Sequence, residues 1–501
     1  MSHVSARELI AHVLDPDSYI SWDTAPEYGD ISADYAASLA RAREKSGADE
    51  AVLTGEGTVA GTRVAFIVGE FGFLGGSIGA ATARRIIAGI HRATDNRLPL
   101  LISPSSGGTR MQEGTPAFAL MISITTAVYR HQDQHLPYLV YLRHPTTGGV
   151  MASWGSAGHF TFAEPNSLLG FLGPRVVELT TGTPMPKGVQ TGENLAAHGV
   201  IDGVVSPDEL RAAVVKIIDV LSPGVARPRP LVDPVAKGCP KPASAWRAIQ
   251  STRRTDRPGI DRLHRRLAAH WVELSGTGDG RHSPAVRVAL TRVRDRPVMI
   301  IAQDRKQQPP HAGTELGPAA LRFARRGIAL AHQLQLPLIS IIDTPGAELS
   351  QYAEEHGMAG SIARTLGELV DVDVPTISVI MGQGCGGGAL AMLPADKVLV
   401  AANGWLSPLP PEGASAIIYR DTAHAPEMME QQGVGAASLV AAGVADDIIP
   451  ECPDAADEPE AFIDRLIDHL SAALWDLEHQ PERVGREQRF RHYENWAHTM
   501  R

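Results

Sequence analysis

One order of elements is written twice along this chain, and that repetition limits what it can fold into more than any single motif does. Arg63-Val64-Ala65-Phe66-Ile67-Val68 leads through a glycine-rich loop and a helical pattern from about Ala80 to Ala93, then into Leu98-Pro99-Leu100-Leu101-Ile102. Later, Arg296-Pro297-Val298-Met299-Ile300-Ile301 leads through a loop and a helical pattern from about Pro318 to Gln333, then into Leu336-Pro337-Leu338-Ile339. The Leu-Pro-Leu triplets lie 238 residues apart (336 minus 98), as do Leu136-Pro137-Tyr138 and Val374-Pro375-Thr376 (374 minus 136). The last two runs each enter glycines that precede a helix. The pairs Gly148-Gly149 and Gly387-Gly388 are 239 apart, and Gly199-Val200-Ile201-Asp202 and Gly443-Val444-Ala445-Asp446 are 244 apart. A sustained offset of this size indicates a duplicated domain and not a solenoid. Short apolar strands alternating with helices of about 12–16 residues are the pattern of parallel βα units, so both copies are expected to be α/β.

At 501 residues the chain exceeds what one hydrophobic core supports, and 44% hydrophobic with 20% charged residues is ordinary globular composition. A proline-rich run from 223 to 242 predicts an extended linker, giving domains at 1–222 and 243–501. After an acidic stretch from Asp447 to Glu460, Phe462, Leu466, Ile467, Leu470 and Leu474 fall at helical spacing, which predicts a packed C-terminal helix. The cysteines, Cys239, Cys385 and Cys452, are far apart with no CxxC pair, so neither a disulfide framework nor a zinc site is expected, and the chain reads as cytoplasmic and metal-free. No stretch reaches about 18 apolar residues and the start lacks a signal-peptide pattern. No membrane association is expected. A net charge of −10 argues against a nucleic-acid partner, and an anionic small ligand needs a local basic patch.

A helix start leaves backbone N–H groups without intrahelical acceptors and carries partial positive charge. Consecutive glycines let a ligand oxygen reach those amides, which is what an oxyanion hole requires. Other motifs read less well. Gly75-Gly76-Ser77-Ile78-Gly79 satisfies G-x-S-x-G, but the strand ends near Val68, too early for a nucleophile elbow. Gly382 to Gly387 satisfies G-x-G-x-x-G but lacks the acidic residue about 20 positions on. Asp343-Thr344-Pro345-Gly346 resembles a GTPase switch without any phosphate-binding loop and reads as a turn. Cys385, His144 and His159 read as structural. The arginines between Arg253 and Arg266 read as a solvated face.

Phe73 to Gly79, Ser106-Gly107-Gly108-Thr109-Arg110-Met111-Gln112-Glu113, Pro145-Thr146-Thr147-Gly148-Gly149-Val150 and Gly170-Phe171-Leu172-Gly173-Pro174-Arg175-Val176 resemble the β subunit of bacterial acetyl-CoA carboxylase carboxyltransferase. The stretches Ile342 to Ala347, Gly386-Gly387-Gly388-Ala389 and Pro411-Glu412-Gly413-Ala414-Ser415 resemble its α subunit. The resemblance covers most of 50–450. It implies two tandem crotonase-like domains and carboxyl transfer from biotin on a separate carrier protein to acetyl-CoA, forming malonyl-CoA. Propionyl-CoA or another acyl-CoA, or a CoA-thioester decarboxylase of the same fold, is the alternative. It further implies that Gly148 and Gly149 hold the thioester oxygen and that Gly387 and Gly388, with Ala389, hold the ureido oxygen of biotin. Gly107, Gly108, Gly170, Phe171 and Gly173 would line the acyl-CoA site. Arg110 and Arg175 read either as pocket support or as internal salt bridges. Biotin carboxylase, a biotin carboxyl carrier protein and a second copy of the chain, with the active site at the dimer interface, are the implied partners. The family's four-cysteine zinc ribbon is missing before Cys239, and no Met-Lys-Met biotinylation site occurs.

Overall fold

A computed structural model describes residues 4–222, 224, 228–229, 232, 239, 244–308 and 315–499. The expected linker over 223–242 lies outside the described residues apart from 224, 228–229, 232 and 239. Packing divides the chain into two compact units, Met1–Asp219 with Gly278–Gly280, and Val220–Thr277 with Arg281–Arg501.

In the first unit the described strands form a seven-stranded sheet and a separate short two-stranded one. Val52–Val59 and Thr62–Gly69 pair antiparallel, and Thr62–Gly69, Leu100–Ser103, Tyr138–Leu142 and Phe160–Ala163 then follow in parallel. The parallel strands are buried along their length, as sheets covered on both faces must be. Each Leu-Pro step places its proline just before a strand, where the missing N–H costs no ladder bond, while the Pro99 carbonyl accepts from Ala65 N–H. The crossover helix Ala80–Asp95 buries Ile86 and Ile90, and Gly114–Asp133 buries Ile124 and Val128, against Ile67, Ile102 and Val140.

The second unit repeats this plan in an eight-stranded sheet. Val286–Val293 and Arg296–Gln303 pair antiparallel, followed in parallel by Leu338–Thr344, Thr376–Cys385 and Lys397–Ala401. The C-terminal helix forms as its apolar spacing predicts: Pro459–His479 buries Phe462, Leu466, Leu470 and Leu474 in the sheet's core. The cysteine reading needs correction, because Cys239 and Cys452 are joined in a disulfide across 213 residues. Sequence distance gave no sign that the two meet. Among the described residues no helix is long and apolar enough to cross a membrane.

Candidate functional site

The strand Tyr138–Leu142 delivers the chain to Thr147, which is extended, and Gly148 then turns to φ 66° to open the short helix Gly148–Met151. Glycine alone takes that conformation without strain. The Gly148 amide is already used, donating to the Phe171 carbonyl at 2.9 Å. Gly149 and Val150 are the next residues of the first turn, and their amides have no acceptor within the helix. The donor the first pair offers is therefore Gly149, with Val150 behind it.

A second glycine turn lies against this start. Gly108, at φ 116°, donates its amide to Ser106 Oγ at 3.0 Å, and the Gly107 amide donates to the Gly75 carbonyl at 2.9 Å. A Cβ placed on Gly148 would sit 3.2 Å from Gly108 Cα, so the two backbones approach with no side chain between them. Gly170 pairs with Thr147 in a short parallel ladder, and a Cβ there would strike Gln190 Nε2, which itself donates to the Leu172 carbonyl at 2.7 Å. This ladder presents Phe171 to solvent, 69% exposed. Gly173 caps the helix Pro174–Thr181, on which Arg175 is exposed.

Arg110 does not reach this surface. Its side chain is 0% exposed; Nη2 meets Glu50 Oε1 at 2.5 Å and also donates to Ser77 O and Thr82 Oγ1, while Nη1 donates to Tyr35 OH. Burial opposes both charges, but each outweighs that cost for the other: Glu50 is held below the usual carboxylate range and Arg110 above its ordinary value. The internal ion pair is what the sequence contains here, and it pins the 106–113 loop from beneath.

The same device recurs in the second unit, in a register the sequence pairing missed by one residue. The counterpart of Gly148 is Gly386, at φ 64° and first in the helix Gly386–Leu390, an offset of 238 (386 minus 148). Gly387 then matches Gly149. Gly346, at φ 143°, matches Gly108, and its amide donates to Thr344 Oγ1 at 3.2 Å as Gly108 does to Ser106. The isolated bridges Ile78–Thr109 and Leu316–Ala347 complete the correspondence. Asp343-Thr344-Pro345-Gly346 is thus the second unit's glycine turn. Gly388 contributes its carbonyl to Gln303 Nε2 at 2.8 Å, and Ala389, the fourth residue of the helix, is fully buried. Cys385 is buried beside Gly346, and burial pushes its thiol up to about 12.

The remaining candidates are occupied elsewhere. Ser77 Oγ donates to the Leu74 carbonyl; His144 Nδ1 accepts from Leu168 N–H and His159 Nδ1 from Tyr138 N–H. Arg253 pairs with Glu412, Arg254 with Asp457, Arg257 with Glu451, Arg262 with Glu460, and Arg266 with Asp464. Sequence reasoning did not find two hollows in the first unit. One, about 840 Å³, opens beside Gly148 and Gly149 and is lined along the Gly114–Asp133 helix by Phe118, Met121, Ile122, Thr125 and Tyr129, with Ala152, Phe171 and Leu172. The other, about 700 Å³, is lined by Gly75, Phe71 and one face of the Ala33–Ser46 helix, where Ser38, Arg41 and Lys45 lie together. Basic residues on a helix whose partners are not carboxylates were the only available signal for the second hollow.

The family described as "Carboxyl transferase domain" matches residues 3–487. The chain is similar to the "Probable biotin-dependent acyl-coenzyme A carboxylase beta3 subunit" of Mycobacterium tuberculosis (strain ATCC 25618 / H37Rv), 52% identical over 494 residues, covering 98% of this chain and 99% of the relative. It is 34% identical over 504 residues to the "Acetyl-coenzyme A carboxylase carboxyl transferase subunits beta/alpha" of Salinispora arenicola (strain CNS-205), covering 95% of this chain and 88% of that one. Among solved structures, the transcarboxylase 12S hexamer with methylmalonyl-coenzyme A bound matches with a TM-score of 0.72 at 21% identity, over 95% of this chain and 90% of that one. At that identity the likeness establishes the fold.

Proposed function

Because this chain belongs to the carboxyl transferase domain family, as a carboxyltransferase of the biotin-dependent acyl-CoA carboxylases, we propose that its two glycine-started helices divide the reaction between them. The first holds the acyl-CoA and the second the biotin. The observation that carries this reading is the matching backbone turn at the 238-residue offset, which starts a short helix on a positive-φ glycine beside a hydroxyl-held glycine turn in both crotonase-like units.

Carboxyl transfer builds negative charge twice, on a ureido oxygen as the carboxyl leaves and on a thioester oxygen as the α-proton is lost. Bound biotin supplies the carboxyl group and, once that has left, a basic nitrogen. Gly387, with Gly388, offers the amides facing the first charge. Gly149 offers its amide to the enolate oxygen, with Val150 next in the turn, while Gly108 and Gly148 keep side chains out of its way. Donors fixed in this manner contribute roughly 3 kcal/mol each to the transition state. No side-chain base is needed from this chain.

Arg41 and Lys45 supply the local positive charge that an anionic CoA needs on a chain of net charge −10, and Gly75 and Gly107 connect their hollow to the Gly108–Gly148 approach. Biotin carboxylase and a biotin carboxyl carrier protein are the partners this chemistry requires. A second copy of the chain is the proposed oligomeric partner, supported by exposed Val176 and Leu179 near the first start and Leu349, Tyr352, Ile417 and Ile418 in the second unit. Acetyl-CoA, giving malonyl-CoA, is the acceptor suggested by the resemblance, and its support is the name of the 34% identical relative.

Reconstitution with biotin carboxylase, the carrier, bicarbonate and ATP tests the reading. We expect carboxylation of at least one acyl-CoA; none with any acyl-CoA, from a folded protein and a charged carrier, would refute it.

A further inference from the structure

We propose that Gln303 is the positioning residue of the second glycine start, its side-chain amide tying the Gly388 carbonyl to the Asp343 N–H and so setting the direction of the amides that meet the ureido oxygen. The inference rests on the second start receiving carboxybiotin, as proposed above. Gln303 ends the strand Arg296–Gln303 and is fully buried. Its Nε2 donates to the Gly388 carbonyl at 2.8 Å, and its Oε1 accepts from the Asp343 N–H at 3.1 Å. One partner takes only a donor and the other only an acceptor, which is the pair of roles a primary amide fills without charge.

Both bonds fall where regular structure gives out. The ladder between Arg296–Gln303 and Leu338–Thr344 stops at Ala302 and Ile341, and the register of Leu338–Thr344 with Thr376–Cys385 shifts between Ile342 and Thr344. Asp343 sits in that gap, its N–H held by Gln303 and its Oδ1 accepting from Gln383 N–H at 3.0 Å. On the other side, Gly386–Leu390 is a little over one turn, too short to hold its own shape. Met392 gives its amide to the Ala389 carbonyl and not to Gly388, so Gln303 supplies the donor that Gly388 lacks. A peptide unit is planar: fixing the Gly388 carbonyl fixes the Ala389 N–H in the same plane, and with it the turn that carries the Gly387 and Gly388 amides. Such donors serve a developing charge only when their direction is set beforehand. Sheet register shows that the clamp is particular to this unit. Met299 pairs with Leu338 as Ala65 pairs with Leu100, so Gln303 stands where the first unit has Gly69. A Cβ on Gly69 would lie 2.8 Å from Ser105 N, so there strand and turn meet backbone to backbone. Val150, at the place of Gly388, finds a donor in the Ser153 N–H at 3.3 Å.

Two variants test the clamp. Gln303→Met keeps much of the shape and loses both bonds, whereas Gln303→Glu keeps the size and can donate to the Gly388 carbonyl only while its carboxyl is protonated. Each is assayed as the full chain with carboxylated carrier and whichever of acetyl-, propionyl- and hexadecanoyl-CoA the parent carboxylates. We expect Gln303→Met to lower kcat at least about tenfold, the scale of a displaced reacting geometry, with KM for carrier and acyl-CoA within about twofold of the parent. The charged groups around position 303 are Asp304 beside it and Asp343 across from it, the latter paired with Arg305 Nε at 3.3 Å. Burial and Asp304 hold a carboxyl introduced there above its ordinary range. The rate of Gln303→Glu, taken as a ratio to the parent at the same pH, should therefore match Gln303→Met near about pH 9 and climb back as pH is lowered to about 6. If Gln303→Met does not fold, that ratio decides alone. A lowered melting midpoint with kcat and the ratio unmoved, or a raised KM for the carrier at unchanged kcat, overturns this inference and leaves carboxyl transfer standing. Failure of the parent with all three acyl-CoAs overturns the reading beneath it.

Discussion

The two glycine starts share a backbone and differ in what stands around it. Gly148 and Gly386 have φ of 66° and 64°, and each lies by a turn whose glycine amide is held by a hydroxyl two residues back. Around the first start the cavity is open and apolar, and the loop beneath is anchored by the buried Arg110–Glu50 pair. Around the second, Gly387 faces Ile362 and Gly388 faces Leu316, and the place of Arg110 is taken by a half-buried Glu348 that accepts from Ser350 Oγ at 2.5 Å. A duplicated domain thus retained its glycine turn and changed the walls. If the turn holds an oxyanion as proposed, it fits either developing charge, and the walls decide which molecule brings it.

The largest expected effect comes from destroying one device at a time. Gly148→Val and Gly386→Val each place a β-branched residue at positive φ, and each should lower overall carboxyl transfer at least about 100-fold, the scale of losing one oxyanion donor. If the labour is divided as proposed, Gly148→Val still discharges the carboxylated carrier without acyl-CoA, whereas Gly386→Val does not. Equal loss of carrier discharge in both variants would break the division. Next in size is the buried anchor beneath the first unit's glycine turn. Arg110→Met leaves Glu50 charged and buried, which should cost about 3–5 kcal/mol in denaturant unfolding of that unit. At the matching place Glu348→Gln should change stability by less than about 0.5 kcal/mol.

Much of this comparison could be read from the sequence. Alternating strands and helices gave both units, because buried parallel strands leave near-continuous apolar runs such as Val64 to Val68. The first glycine start was legible because Gly148-Gly149 has no third glycine beside it. In Gly386-Gly387-Gly388 any adjacent pair fits equally well, and only a backbone angle tells which residue begins the helix. The 238-residue offset of the Leu-Pro-Leu triplets, applied strictly, would have selected Gly386. The hollow along Gly114–Asp133 was hidden for a different reason: Phe118 and Ile122 look like core residues in a periodic pattern, and periodicity cannot say which apolar face the chain's own core leaves uncovered. Arg110 could not be settled because its partner, Glu50, is sixty residues away in sequence and adjacent only once the loop has closed.

A pH test separates the units at a third matched position. His131 is fully buried on the helix that walls the first cavity, and burial depresses it to about 4, against Thr94 Oγ1 at 3.0 Å from Nδ1. Its counterpart at the 238-residue offset is Leu369, which cannot titrate. The folded state favours the neutral ring, so this contribution is complete above the unfolded value near 6.5 and is lost as pH falls toward about 4. The first unit should lose about 3 kcal/mol over that window, each tenfold change in proton affinity being worth about 1.4 kcal/mol. Unfolding of His131→Gln as a function of pH checks it, since the slope should flatten. An unchanged slope would place the acid sensitivity elsewhere.

The smallest effect asks whether the walls differ as closely as the contacts imply. A Cβ at position 149 would lie 3.3 Å from Met121 Cγ and 3.4 Å from Thr109 Oγ1, and an unbranched methionine can give by a few tenths of an ångström. A Cβ at position 387 would lie 2.9 Å from Ile362 Cδ1, on a β-branched side chain with few alternative rotamers. Both glycines sit early in helices at negative φ, so alanine gains about 0.4–1 kcal/mol by restricting the unfolded chain. For Gly149→Ala that gain should offset the crowding, leaving stability within about 0.5 kcal/mol of the parent. For Gly387→Ala, overpacking of about 1–3 kcal/mol should exceed it and leave a net loss of roughly 1 kcal/mol. Paired thermal melts decide the matter: equal midpoints for the two variants would mean that the second start is as loosely walled as the first.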